Sequence, residues 1–150
     1  MAGPERWLVD TNVLLYGVDA SDPRCTRASA IIENADGSAP ALCIAPQVAA
    51  EFCAVVTAPR RAAHPLTADE AREHVLWLLS LPHVRIIVPQ QDTVTRFVGL
   101  LVEGGLTSQR VFDALLAATM LDNGVTRIYT EDATHFARFA GVTAINPFAP

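Results

Sequence analysis

The chain has 150 residues, room for one domain with one core, and at 51% hydrophobic against 18% charged it has apolar residues to spare for a filled α/β core or a surface covered by a partner. No apolar run approaches the roughly 20 residues that span a bilayer, and the opening MAGPERWLVD lacks the apolar stretch of a signal peptide, so a cytoplasmic protein with no membrane association is expected. The net charge of −5 argues weakly against a polyanionic partner; all 11 basic residues are arginine, which excludes P-loop, Schiff-base and other lysine-dependent chemistry.

In chain order, the apolar run 7–9 predicts a buried first strand with Asp10 at its carboxyl end, followed by a short helix from Asn12. Asp22 and Pro23 open a second helix that stops near Gly37. A strand over 41–45 leads into a helix from Pro46 to about Thr57, and the segment 59–65 reads as a loop. Thr67 and Glu70 have capping-box spacing and start a helix that stops near Pro82. A β-branched strand over 84–88 precedes a helix over 92–103, closed by Gly104 and Gly105. Ser108 is the candidate N-cap of a helix running to Asn123, with Gly124 past its end. A fourth strand over 127–130, a short helix around His135 and a last strand near 142–145 complete one domain over 1–150. Strands alternating with helices mean a parallel sheet, of about five strands, covered by helices on both faces. Cys25, Cys43 and Cys53 are odd in number with no close pair, and read as reduced thiols.

Three carboxylates stand in unusual company. Asp10 is the only charge between Arg6 and Asp19, Glu51 the only one over 47–57, and Asp113 the only one over 111–121. Val48 and Val55, at i−3 and i+4, put Glu51 on or beside the buried face of its helix. A carboxylate so placed takes up a proton unless an arginine or a bound cation stabilises its charge. Singly, Asp10 also reads as a helix N-cap and Asp113 as a partner of its own helix N-terminus. Together with Glu131 and Asp132 after Thr130, the three lie toward the carboxyl edge of the sheet, where parallel α/β folds bind ligands. Carboxylates without histidine or thiolate suit a hard ion, Mg²⁺ or Mn²⁺, of the kind that serves phosphoryl chemistry.

LVDTNVLLY, PQVAAEFCAVVTAPRR and VFDALLAATMLDNGVTRIYTEDATHF, in this order over nearly the whole chain, resemble the motifs of PIN-domain nucleases, in particular VapC-type toxins of toxin–antitoxin pairs. The resemblance implies a PIN domain with metal acids at Asp10, Glu51, Asp113 and Asp132, and supporting polar groups at Asn12 and Thr130. It implies endonucleolytic cleavage of RNA by metal-activated water, with Mg²⁺ or Mn²⁺ as cofactor and a 5′-phosphate and 3′-hydroxyl as products. Arg60, Arg61 and Arg110 are candidate phosphate contacts, or plain solvated arginines. Relatives vary after the fourth strand, some carrying an aspartate just before the phenylalanine, where this chain has His135. The fourth position is assigned to Asp132 with Glu131 as a rival, and His135 is read as a surface or supporting residue. Implied partners are RNA, a VapB-type antitoxin whose tail enters the active-site groove, and a second copy in a homodimer. The alternative is a catalytically idle PIN-like module that binds RNA or protein; a receiver- or phosphatase-like domain with Asp10 as nucleophile fails for want of a lysine.

Overall fold

A computed structural model describes residues 4–34 and 36–150. Among them five strands, β1 Arg6–Val9, β2 Ala41–Ile44, β3 Val84–Ile86, β4 Arg127–Tyr129 and β5 Thr143–Ile145, form one parallel sheet in the order β3-β2-β1-β4-β5. The helices are α1 Thr11–Val18, α2 Cys25–Glu33, α3 Pro46–Val56, α4 Ala68–Ser80, α5 Thr93–Gly104, α6 Arg110–Asp122 and α7 Ala133–Phe136. The chain steps one way through β1, β2 and β3, then crosses over to β4 and β5. Right-handed crossovers therefore place α1–α4 on one face and α5–α7 on the other. The helix contacts agree: α1 packs on α2 and α3, α3 on α4, α5 on α6, and α6 on α7. The predicted α/β architecture is the observed one.

β1 is the central strand, and Leu8 and Val9 are fully buried with Leu42, Ile128, Val48 and Leu116 in one core. A strand covered on both faces needs a continuous apolar run rather than alternation, and Trp7-Leu8-Val9 supplies it. The loop 59–65 and the Thr67 capping box are as expected; the Thr67 hydroxyl accepts the Glu70 N–H at 3.2 Å and the Glu70 carboxylate accepts the Thr67 N–H at 2.7 Å.

Element ends differ from the sequence reading in four places. Asp22 and Pro23 form a turn before α2, whose first residue is Cys25; the Asp22 carboxylate accepts the Arg24 N–H at 2.8 Å and closes that turn. The same helix stops at Asn34, left-handed at φ 44°, three residues ahead of Gly37. Ser108 does not cap α6: it too is left-handed, at φ 55°, and Gln109 occupies the cap position without a side-chain bond. The orphan N–H groups there bond back to the carbonyls of Thr107, Ser108 and Gln109 instead. β3 is also shorter than 84–88, ending at Ile86 because its partner β2 ends at Ile44.

Candidate metal centre

The sheet reverses direction of growth between β1 and β4, which makes the crevice beyond their carboxyl ends the natural ligand site. Asp10 stands there, only 8% exposed. One of its oxygens, Oδ1, accepts the Thr11 N–H at 2.8 Å and so caps α1. The other, Oδ2, accepts the Thr130 hydroxyl at 2.7 Å and the Asn12 amide at 3.4 Å. Capping and site duties thus fall on different oxygens of one carboxylate. Thr130, fully buried at the end of β4, gives its single proton to Asp10, and its oxygen accepts the Asp132 N–H at 3.0 Å and the Asn12 amide at 3.4 Å.

Glu51 reaches the same crevice from α3. Its Oε2 accepts the Thr11 hydroxyl at 2.9 Å and its Oε1 the Gln47 amide at 3.0 Å. That amide also donates to the Phe112 carbonyl at 2.9 Å, which ties α3 to the first turn of α6. Asp113 lies in that turn, with Arg110 at 3.0 Å from its Oδ2. Thr11 and Gln47 were not singled out from the sequence. Gln47 had a visible signal, its i, i+4 spacing to Glu51; the bond to Phe112 spans 65 residues and had none.

The charges feel one another. Burial pushes Asp10 up to about 6, and the negative charges of Glu51 and Asp113 add to the rise, while the Thr130 and Thr11 bonds oppose it. Asp113 is raised chiefly by burial and further by Asp132, against the lowering effects of Arg110 and His135. The three inner acids and Asp132 thus form one electrostatic cluster. An all-oxygen donor set of crowded, poorly solvated carboxylates fits a hard divalent cation, which would relieve both burial and repulsion. Among the described residues, however, no three acidic, imidazole or thiol groups stand close enough to enclose an ion as they are. The bonds from Thr11, Gln47 and Arg110 hold Glu51 and Asp113 in arrangements of their own.

The remaining candidates separate clearly. Glu131 is turned away: its carboxylate accepts the Tyr16 hydroxyl and Arg24 Nη1, the latter at 2.6 Å. Asp132 is half exposed at the rim, with His135 Nδ1 at 3.8 Å, too far for a hydrogen bond. His135, Arg110, Asp113 and Arg138 share a cavity of about 120 Å³ beside the acids. Arg60 and Arg61 are exposed in the turn beyond α3, and Arg61 lines a separate groove with Asp19, Asp22 and His64. Of the three candidate arginines, only Arg110 pairs with a site carboxylate among the described residues.

A doubly covered parallel sheet with interacting carboxylates at its switch point defines an α/β domain of the acid-centred kind. The PIN-domain family matches residues 7–142, which include Asp10, Glu51, Asp113 and Asp132, and the chain belongs to that family. No curated protein matches it by sequence. In fold it is similar to the sarcin–ricin-loop-cleaving toxin VapC20 of Mycobacterium tuberculosis, at TM-score 0.65 and 22% identity over 90% of this chain and 97% of that one. It is similar to VapBC2 of Rickettsia felis bound to promoter DNA, at TM-score 0.66 and 16% identity over 94% and 98%. VapBC-1 of nontypeable Haemophilus influenzae gives TM-score 0.65 and 13% identity over 96% and 99%. At such identities the likeness is one of fold.

Proposed function

We propose that the chain is a metal-dependent endoribonuclease and the toxin of a VapBC-type toxin–antitoxin pair. The observation that carries this reading is Asp10, buried at the switch point in the field of Glu51 and Asp113. PIN-domain nucleases generally use divalent metal ions, and here Asp10, Glu51 and Asp113 would hold Mg²⁺ or Mn²⁺, with Asp132 completing the acidic rim. Such an ion, when bound, supplies positive charge for a phosphodiester and acidifies water. Of the chain's own residues, Thr130 and Asn12 orient Asp10, and Thr11 and Gln47 hold Glu51 at the same crevice until an ion draws it in. Arg110 neutralises Asp113 and has a donor fork suited to phosphate. Arg60 and Arg61, farther off, would serve only RNA that extends past α3.

The VapBC relatives described above are toxin–antitoxin complexes, which supports an antitoxin as partner here. An apolar groove lined by Leu14, Val18, Phe52, Val75, Trp77 and Ile86 suits an apolar antitoxin segment. On the other face Val94, Val98 and Val102 of α5, spaced at i, i+4 and i+8, are exposed and suit a second copy of the chain. Expression of the chain alone is expected to arrest growth of its host, and co-expression of an adjacent antitoxin gene to restore it. Asp10→Ala should abolish the arrest while keeping most of the antitoxin affinity, because none of the four acids lines the groove. Equal growth arrest by both forms would separate toxicity from the acid site and defeat the reading.

A further inference from the structure

We propose that Tyr16 and Arg24 are positioning residues which, through Glu131, hold the β4–α7 turn over Asp10 and keep the Glu131 carboxylate out of the ion site. The proposal rests on the nuclease reading above. Arg24 is fixed on three sides. Asp22 accepts from its Nε at 2.9 Å and its Nη2 at 2.8 Å, and its guanidinium lies 3.5 Å from the centre of the Tyr16 ring. Nη1 is left to donate to Glu131 Oε1 at 2.6 Å, while Oε2 accepts the Tyr16 hydroxyl. Both oxygens of Glu131 are therefore engaged by α1 and the turn before α2. Tyr16 is itself braced by the edge of Phe148, with ring centres 5.2 Å apart.

The consequence runs through the backbone. With its side chain anchored, Glu131 directs its N–H to Asn12 Oδ1 at 3.2 Å. That bond fixes which way the Asn12 amide points, and so aims Nδ2 at Asp10 Oδ2 and Thr130 Oγ1, both at 3.4 Å. Arg24 thus acts on Asp10 through Glu131 and Asn12 without touching it. A partly exposed ion pair contributes little stability by itself; here the stacked, fork-held arginine supplies geometry. Released, the carboxylate of Glu131 sits one residue from Asp132 and can swing toward a cluster that already repels itself.

The test measures three quantities on the purified full chain: Mn²⁺ affinity by calorimetry, kcat and KM on a short RNA, and Tm. Tyr16→Phe, Arg24→Gln and Glu131→Ala should each lower kcat about tenfold and weaken Mn²⁺ about threefold, with KM for RNA within twofold. Glu131→Gln, whose amide oxygen can still accept from Arg24 and whose NH2 can donate to the Tyr16 oxygen, should recover most of what Glu131→Ala loses. If Arg24→Gln fails to fold, Tyr16→Phe, which removes a single hydroxyl, decides the matter. Equal loss of Mn²⁺ affinity in Glu131→Gln and Glu131→Ala would make Glu131 a ligand and overturn the proposal. A raised KM with unchanged kcat in Arg24→Gln would make Arg24 an RNA contact and overturn it too. Variants matching a wild type that binds Mn²⁺ would defeat the proposal alone, whereas a wild type that binds none would defeat the nuclease reading along with it.

Discussion

Asp113 shows at the scale of one residue how a carboxylate can be a liability to the fold and, in its proposed role as a metal ligand, an asset to the site. Burial raises its pKa more than Arg110 lowers it, so its charge at neutral pH is a net cost to the folded state. The pair with Arg110 is partly exposed and worth about 1 kcal/mol at most. Asp113→Asn should therefore abolish cleavage and leave the metal-free Tm unchanged or raised by a few degrees. A fall of roughly 4 °C or more, the equivalent of losing over about 1 kcal/mol in a chain this size, would make Asp113 a structural cap instead. Asp10 adds a pH dependence. Its folded pKa, about 6, lies above the ordinary 3.8, so its protonated form is favoured by folding. Its contribution to metal-free stability is then present at low pH and is lost as pH rises from about 4 through about 6, worth roughly 3 kcal/mol at most from about two pKa units. A cation reverses this by stabilising the charged form, and below about 6 it competes with a proton. Saturating Mn²⁺ should accordingly raise Tm more at pH 7 than at pH 5. Equal shifts at the two pH values would show that Asp10 is not in the ion site.

Elements were legible in the sequence where their signals are local. The Thr67–Glu70 capping box is written in four consecutive residues, and it forms as spelled. Thr67→Ala should cost about 1 kcal/mol, seen as a Tm lower by roughly 2–4 °C, with cleavage unchanged because α4 carries none of the site residues. A loss of cleavage matching that of Asp113→Asn would show α4 to be coupled to the acids. Ser108 has the composition of a cap and fails as one, because its backbone is left-handed and the following turn satisfies the N–H groups by itself. The site divides along the same line. Asp10, Glu51 and Asp113 stood out as lone charges in apolar runs, a signal each carries locally. Local signals did not separate Glu131 from Asp132, which was assigned on the resemblance alone, since Arg24, which draws Glu131 aside, lies 107 residues away in the chain. Thr11 and Gln47 were obscured because polar residues beside an acid look like ordinary helix-surface residues until the sheet brings α1, α3 and α6 together.

For the whole molecule, the surplus of apolar residues noted from composition is visible on the surface. Leu76, Trp77 and Leu79 of α4 and Val94, Val98 and Val102 of α5 are exposed, which is more apolar side chain than solvent contact favours. Among the described residues no helix is long and apolar enough to cross a membrane, and in the proposed reading the groove beside Trp77 receives the antitoxin. Trp77→Glu should then weaken capture of the co-expressed antitoxin at least tenfold and leave RNA cleavage by the free chain intact; undiminished capture would place the antitoxin elsewhere. Under the proposed nuclease reading, the net charge of −5 makes RNA binding depend on neutralising the acid cluster. Cleavage of a structured RNA by the purified chain, with Mg²⁺ or Mn²⁺ and again after EDTA, bears most directly on the acid cluster as a metal-dependent nuclease site. The expected result is cleavage with either ion, fragments bearing 5′-phosphates, and complete loss in EDTA and in Asp10→Ala. Cleavage that persists in EDTA, or in pure Asp10→Ala with the ion present, would contradict it.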